Sequence, residues 1–157
     1  MEIQREYVTV GPNQVHYIDI TTNGINTTTG VSGTNNAFTA NIEELDLSTA
    51  YKWTATVVNF NYKNVNIGPG VYPIIQASFV ENIRINNINA SFFYRSTAPA
   101  TDTNYQERYE HNNPALTLKV LPSRLQTLSF TVVRSDNGQP FGIDPASSLQ
   151  LTIMIKN

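Results

Sequence analysis

Polar and apolar residues alternate along much of this chain with a period of two. The segment VHYIDI at residues 15–20 is a clear case, and LQLTIMIK at residues 149–156 is another. A period of two is typical of β-strands, because successive side chains of a strand point to opposite faces of its sheet. Asn, Gly and Pro separate these runs, and helix patterns are nearly absent. The pattern predicts an all-β protein.

We predict a short leading strand at residues 7–10 and eight substantial strands after it. The eight cover residues 14–20, 37–45, 52–62, 74–85, 90–95, 115–120, 125–134 and 148–156. Eight strands with long, irregular connections favour a jelly-roll or an immunoglobulin-like sandwich. Our expectation is an eight-stranded single jelly roll, a sandwich of two antiparallel sheets. With 157 residues, the chain fits one such domain, spanning residues 1–157.

Two strands allow the faces to be assigned. In the last strand, Leu149, Leu151, Ile153 and Ile155 share a face that we expect in the core. In WTATVVNF, strict alternation places Trp53, Ala55, Val57 and Asn59 on one face, and Thr54, Thr56, Val58 and Phe60 on the other. Both faces are partly apolar near the end of this second segment, so it suits a central strand. SDNGQP predicts an Asp-Asn-Gly turn, in which Gly138 supplies a positive φ.

The composition is poor in charge and rich in neutral polar residues. Charged residues make up 14% of the chain, its net charge is −2, and it contains 19 Asn and 18 Thr. Its ten basic residues are scattered, which argues against a dedicated nucleic-acid site. There is no cysteine, no apolar run long enough for a membrane span and no signal-peptide core at the N-terminus. Neutral polar residues suit a protein surrounded by copies of itself, and they are also common in sugar-binding proteins.

Candidate chemistry is sparse. His111 lies near Glu107 and Glu110, an incomplete metal or acid-base set, while His16 alternates within a strand and suits packing or a surface position. A strand would place Glu44 and Asp46 on one face, but solvated strand ends are the commoner outcome. No phosphate-binding loop or nucleophile motif is present. We therefore expect no enzyme, no cofactor and no metal.

Aromatic and arginine residues in loops suggest contacts with other proteins, because these residue types are enriched at interface anchors. One candidate is an N-terminal contact arm at residues 1–7. The others are the NIGPGVYP loop and the loop around residues 105–109. The predicted interface residues are Met1, Glu2, Ile3, Arg5, Tyr7, Tyr72, Tyr105, Arg108 and Tyr109.

Two stretches resemble the penton and minor capsid single jelly-roll proteins of double-stranded DNA viruses of the virophage, polinton-like and giant-virus lineage. The first runs from residue 38 to 67, and its matching elements are Phe38, Ile42, Leu45, Leu47, Trp53 and the pair Asn66-Ile67. The second runs from residue 115 to 157, and is carried by Leu128, Phe130, Val132, Asp136, Gly138, Leu151 and Ile153. The resemblance implies a pentameric capsomer at the vertices of an icosahedral shell, without the inserted domains that this family often carries.

On this basis we expect a viral structural protein that binds copies of itself, as a homopentamer, and a major capsid protein. Its place would be the capsid of the virion, assembled inside the infected host cell. Another minor capsid position of the same fold is an alternative. A carbohydrate- or receptor-binding β-sandwich is a further alternative, with a groove lined by Trp53, Tyr72 or Tyr94 and by Asn61. A cupin-type enzyme is disfavoured because two distant histidines cannot supply its metal site.

Overall fold

The computed structural model describes residues 14–22, 30–47, 51–63, 70–85, 88–90, 92–95, 105–108, 115–118 and 124–157. These residues form twelve β-strands and no helix. The strands are β1 (Val15–Thr21), β2 (Val31–Thr34), β3 (Ala37–Asp46), β4 (Thr54–Tyr62), β5 (Pro73–Ala77), β6 (Ile83–Ile85), β7 (Ile88–Ala90), β8 (Phe92–Arg95), β9 (Tyr105–Arg108), β10 (Leu116–Thr117), β11 (Arg124–Arg134) and β12 (Gln150–Lys156). The predicted all-β class is confirmed.

The described strands form two large antiparallel sheets and one separate hairpin. Sheet 1 has the order β1-β12-β4, and both β9 and β10 pair with β4. Since β12 occupies one edge of β4, β9 and β10 share the other: β10 pairs at Thr54 and Ala55, and β9 pairs at residues 59–62. Sheet 2 has the order β2-β3-β11-β5-β8. The hairpin β6-β7 lies in the connection between β5 and β8.

The sequence predicted most of these strands and misplaced some boundaries. The expected strand at residues 74–85 is divided into β5, a turn and β6, and the expected strand at residues 90–95 is divided between β7 and β8. Of the predicted strand at residues 115–120, Leu116 and Thr117 are paired as β10, Leu118 forms an isolated bridge with Val80, and residues 119 and 120 lie outside the described residues. Strands β2 and β9 lie in segments where we predicted no strand. The expected strand at residues 7–10 lies outside the described residues.

The two sheets enclose one hydrophobic core. Its centre is aromatic: the ring of Phe130 on β11 lies 5.1 Å from Phe38 and 5.5 Å from Phe79, between ring centroids. Phe60 on β4 of sheet 1 contacts Tyr94 on β8 of sheet 2, with centroids 6.1 Å apart. The residues at the C-terminal end that we expected to face the core, Leu149 just before β12 and Leu151, Ile153 and Ile155 on it, are buried, at most 1% exposed. These contacts make the molecule a β-sandwich.

Strand β4 contains a β-bulge that changes which of its residues face the core. Ile153 of β12 pairs with Val57, and its neighbour Thr152 pairs with Asn59, so Val58 is an extra residue in β4. Ala55 and Val57 are buried before the bulge, and Phe60 and Tyr62 are buried after it. The prediction that Asn59 shares a face with Val57, opposite Phe60, was therefore wrong. The central position of β4 in sheet 1 is confirmed.

A buried asparagine connects three segments at one end of the sandwich. Asn35 is 5% exposed and lies in the two-residue turn between β2 and β3. Its amide nitrogen donates hydrogen bonds to the carbonyl oxygens of Asp144 (2.9 Å) and Ser147 (2.8 Å). Its amide oxygen accepts a hydrogen bond from the hydroxyl of Thr22, which itself accepts one from the amide of Leu149 at 3.1 Å. We call these five residues the Asn35 clamp.

The predicted Asp-Asn-Gly turn after β11 is present. Gly138 has φ of 71° and donates its amide hydrogen to the carbonyl of Arg134 at 3.0 Å. The amide of Gln139 donates to the side-chain oxygen of Asn137 at 2.9 Å. A positive φ suits glycine, because a Cβ makes this region unfavourable for other residues.

Candidate functional site

On strands β2, β3, β11 and β5, the outer side of sheet 2 has a surface without charge, and the exposed Arg95 of β8, which pairs with Ile74, borders it. The residues of this uncharged surface alternate with buried ones on β3, β11 and β5 and are exposed on β2, and cross-strand pairing aligns them in rows such as Ser32-Thr39-Ser129. We call this surface the neutral face; it consists of Ser32, Thr34, Ala37, Thr39, Asn41, Ile74, Gln76, Thr127, Ser129, Thr131 and Val133. No Asp, Glu, Lys or Arg occurs in residues 31–34, 37–42, 73–77 or 125–133.

Hydrogen bonds between strands order part of the neutral face. The hydroxyls of Thr39 and Ser129 lie 3.1 Å apart, and the hydroxyl of Thr127 donates to the side-chain oxygen of Asn41 at 3.3 Å. Such cross-strand hydroxyl pairs stabilise a sheet and fix rotamers on its surface. The neutral face is therefore partly preorganised, and it presents both methyl groups and hydrogen-bonding groups to whatever lies against it.

The outer side of sheet 1 is different, because it includes charged residues. Asp19 on β1 accepts a hydrogen bond from the hydroxyl of Thr152 at 2.6 Å, and Lys156 of β12 is exposed. Val15 and Tyr17 are exposed large hydrophobic residues on β1, at 47% and 64%. The two outer surfaces of the sandwich therefore differ in charge and in apolar exposure.

Tyr72 is the one predicted interface residue whose side chain the structure describes. It precedes β5, is half-buried, and lies under the guanidinium of Arg95, whose central carbon is 5.1 Å from the ring centroid. The amide of Tyr72 donates to the hydroxyl of Ser135 at 3.0 Å, and the amide of Ser135 donates to the carbonyl of Tyr72 at 2.9 Å. Tyr72 is thus held in place at the end of sheet 2, next to the turn after β11.

An ion pair in this turn, close to Tyr72, joins Arg134 and Asp136. The Nε and Nη2 atoms of Arg134 donate to the two carboxylate oxygens of Asp136 at 2.9 and 2.7 Å. This hydrogen bonding lowers the pKa of the Asp136 carboxyl below its ordinary value, and raises the pKa of Arg134. Charge therefore lies at the end of sheet 2 and not across its middle.

For the remaining predicted interface residues, the structure describes no side chain. Met1, Glu2, Ile3, Arg5, Tyr7 and Tyr109 lie outside the described residues. For Tyr105 and Arg108, which begin and end β9, the structure describes only the backbone. Arg108 pairs in register with Asn59, which places β9 beside β4 in sheet 1. The interface role of these residues stays a prediction.

The aromatic residues proposed for a sugar-binding groove do not line a common surface. Trp53 and Tyr94 are core residues, 6% and 3% exposed, so neither offers an open ring face for stacking on a sugar. Asn61 lies on the outer side of sheet 1, where its amide donates to Gln150 at 3.3 Å. Tyr72 lies at the end of sheet 2. That groove was wrongly predicted, because strand alternation alone did not show which side each aromatic residue faces.

Titratable groups are dispersed over the described segments. These segments hold no group of three or more His, Cys, Asp or Glu arranged to bind a metal ion, and no helix long and apolar enough to cross a bilayer. His16 is half-buried, and its ring lies 5.9 Å from that of Trp53, which agrees with the packed position that we considered. His111 lies outside the described residues.

Asp144 is the titratable group most closely tied to the fold. Its carboxylate accepts hydrogen bonds from the amide of Ala146 (2.9 Å) and the hydroxyl of Ser147 (3.1 Å), and it lies 3.1 Å from Nζ of Lys63. The hydrogen bond from Ala146 is the largest cause that lowers the pKa of Asp144, and Lys63 adds to it. Asp144 thereby stabilises the loop whose carbonyls Asn35 binds.

Comparison with protein-family profiles, curated proteins and solved structures gives no match for this chain. The function therefore has to be argued from the strand arrangement and the surfaces.

Proposed function

We propose that this protein is a single jelly roll that serves as a structural subunit of an icosahedral viral shell. The observation that carries the proposal is the nested order of strand pairing. With β9 and β10 counted as one edge strand, and with β2 and the β6-β7 hairpin set aside as additions, eight strand positions remain. The first pairs with the eighth (β1·β12), the second with the seventh (β3·β11), the third with the sixth (β4·β9/β10) and the fourth with the fifth (β5·β8).

This nesting is what results when a long antiparallel ribbon of eight strands is rolled into two sheets, the arrangement found in viral capsid and lectin jelly rolls. The same fold hosts several functions, so the fold alone does not select one. Two further features favour a structural subunit: the low content of charge, and the uncharged surface that β2, β3, β11 and β5 form on the outer side of sheet 2. Surfaces without charge can be buried against a neighbour without leaving an ion unpaired.

The mechanism is self-association. In a cyclic capsomer, a patch on one subunit meets a different patch on the next, and the rotation closes the ring. We propose five copies at a shell vertex, which bind the surrounding major capsid protein. In this ring, Tyr72 and the β9 segment contact the neighbouring subunits.

Assembly is the direct test. Purified protein would be studied by size-exclusion chromatography with light scattering, alone and together with the major capsid protein of the same genome. We expect a ring of five copies or co-assembly into shells that electron microscopy can visualise. A strict monomer that joins no particle would contradict the proposal. Saturable binding of such a monomer to one class of sugar on a glycan array would instead support a carbohydrate-binding function.

A further inference from the structure

We infer that Asn137 is a site of spontaneous deamidation, and that the turn after β11 keeps this reaction slow as long as the turn is closed. The inference goes beyond the proposed function, because it concerns a covalent change of the turn and holds whatever the protein binds. Asparagine is one of the chemically labile residues of proteins, and it reacts fastest when glycine follows it. The chain contains two such pairs, Asn23-Gly24 and Asn137-Gly138, and the second lies within the described residues.

The reaction takes place between the main chain and a neighbouring side chain. The amide nitrogen of Gly138 loses its proton and attacks the side-chain carbonyl carbon of Asn137, and the side-chain nitrogen leaves as ammonia. Water then opens the resulting succinimide ring at either of its carbonyls, which gives aspartate or isoaspartate. Glycine favours the attack because it has no Cβ to crowd the ring. Water is consumed and ammonia is released, and no oxidant or other reactant is needed.

The structure leaves the site open to water but engages both reacting groups. Asn137 and Gly138 are exposed. The amide of Gly138, which is the nucleophile, donates to the carbonyl of Arg134 at 3.0 Å and must break this hydrogen bond before it can lose its proton. The side-chain oxygen of Asn137 accepts from the amide of Gln139 at 2.9 Å, which holds the side chain in one rotamer. The closed turn therefore opposes the attack.

Further contacts keep the turn closed. The amide of Arg134 donates to the carbonyl of Gln139 at 2.8 Å, and the guanidinium of Arg134 binds both carboxylate oxygens of Asp136. A segment of this kind opens locally at a free-energy cost that depends on the hydrogen bonds broken. Because the reaction occurs from the open form, its rate in the folded protein is the rate in the unfolded chain multiplied by the open fraction. The same fraction sets the rate at which the amide hydrogen of Gly138 exchanges with water.

Deamidation changes the turn in charge and in length. Both products place a new carboxylate beside Asp136, and isoaspartate also adds a carbon to the main chain before Gly138. The turn adjoins Tyr72, whose amide and carbonyl are both hydrogen-bonded to Ser135. The covalent change at Asn137 therefore lies close to the segment that holds Tyr72 at the end of sheet 2.

Mass spectrometry of a tryptic digest tests the inference on the full chain. Trypsin cleaves after Arg134 and after Lys156, and it releases residues 135–156, in which Asn137 is the single asparagine. The folded protein and the same protein unfolded in guanidinium chloride would be kept at mildly alkaline pH and sampled over days. Deamidation is detected as a gain in the mass of this peptide, and isoaspartate by enzymatic methylation. Asn137→Gln is the control, because glutamine reacts far more slowly and its peptide should keep its mass.

We expect Asn137 to deamidate about tenfold or more slowly in the folded protein than in the unfolded chain, because the hydrogen bonds of the turn must break first. The protection of the Gly138 amide, measured by hydrogen exchange and NMR, should agree with this factor to within about threefold. In Asp136→Ala, which removes the ion pair but no reacting atom, both quantities should change by the same factor. Equal rates in the folded and unfolded protein would overturn the inference. So would a folded rate that does not follow the protection of Gly138, or an Asn137 that stays intact in both states.

Discussion

Replacing Asn35 by alanine should cost this protein a large part of its stability. Asn35 is almost fully buried, and its amide supplies the hydrogen-bond donors for two carbonyl oxygens, those of Asp144 and Ser147. The Ser147 carbonyl would be left without this donor, at a cost of about 1–3 kcal/mol, whereas the Asp144 carbonyl keeps the amide of Ser147 at 3.2 Å and loses about 1 kcal/mol. Because water can reach part of this loop, we expect a total loss of about 2–4 kcal/mol. A domain of this size typically has a stability of 5–15 kcal/mol.

The loss can be measured by urea unfolding followed by fluorescence. Trp53 is the single tryptophan of the chain and is 6% exposed, so unfolding should change its emission. For a domain of this size, each kcal/mol lowers Tm by about 2–4 °C, so Asn35→Ala should melt roughly 4–16 °C lower. The matched control is Asn41→Ala, at an exposed position on β3, which should lose no more than about 0.5 kcal/mol.

A second variant tests whether the clamp acts as a unit. Thr22 donates to Asn35 and accepts from Leu149, so Thr22→Val should be destabilising by itself and less so when Asn35 is already alanine. Strictly additive effects would mean that these residues act independently. If Asn35→Ala unfolds within about 0.5 kcal/mol of Asn41→Ala, the reasoning about the buried carbonyls is refuted.

Three further predictions concern the loop, a turn and the core. The pKa of Asp144 is lowered in the folded protein, so its carboxylate stabilises the fold at pH values above the ordinary pKa of 3.8, and this contribution disappears as the pH falls from there through the folded pKa. Asp144→Asn should therefore flatten the acid side of a plot of the urea midpoint against pH. An unchanged plot would contradict this. Gly33→Ala should lower Tm markedly, because φ is 111° and an added Cβ would lie 2.3 Å from a backbone oxygen of β3. Gly70→Ala is the comparison: its φ is 79°, but an added Cβ would meet open space, so it should cost about 1 kcal/mol. Equal losses of stability in thermal melts would show that the contact at Gly33 has no effect. Phe130→Ala should cost about 3–5 kcal/mol in urea unfolding, since its ring is 2% exposed among other rings, and a loss below about 1 kcal/mol would show that the aromatic centre is dispensable.

The alternation of polar and apolar residues was sufficient to predict the all-β class of the fold and the core-facing side of the last strand. In the last strand, the apolar positions that we expected inside are buried, because β12 contains no extra residue and one of its sides faces the core. The turn after β11 was also predictable, since Asp-Asn-Gly favours a tight turn with a positive φ at glycine.

Strand β4 shows where alternation fails. Nothing in VVNF shows that Val58 is the extra residue of a bulge, because the register of β4 is set by its pairing with β12, a strand about 90 residues later in the chain. The polar strand β2 was missed for a related reason: VSGT carries almost no apolar signal, and it is a strand because β3 offers it backbone partners.

The sequence by itself determined that the chain forms strands, where most of them lie, and which side of β12 faces the core. Only the tertiary structure decided that Asn35 is buried, that Trp53 and Tyr94 belong to the core, and that four uncharged segments lie side by side. The physical reason is distance along the chain. Residues 31–34 and 37–42 acquire residues 125–133 and 73–77 as neighbours only through hydrogen bonding between strands, so a surface made from all four exists only in the folded protein.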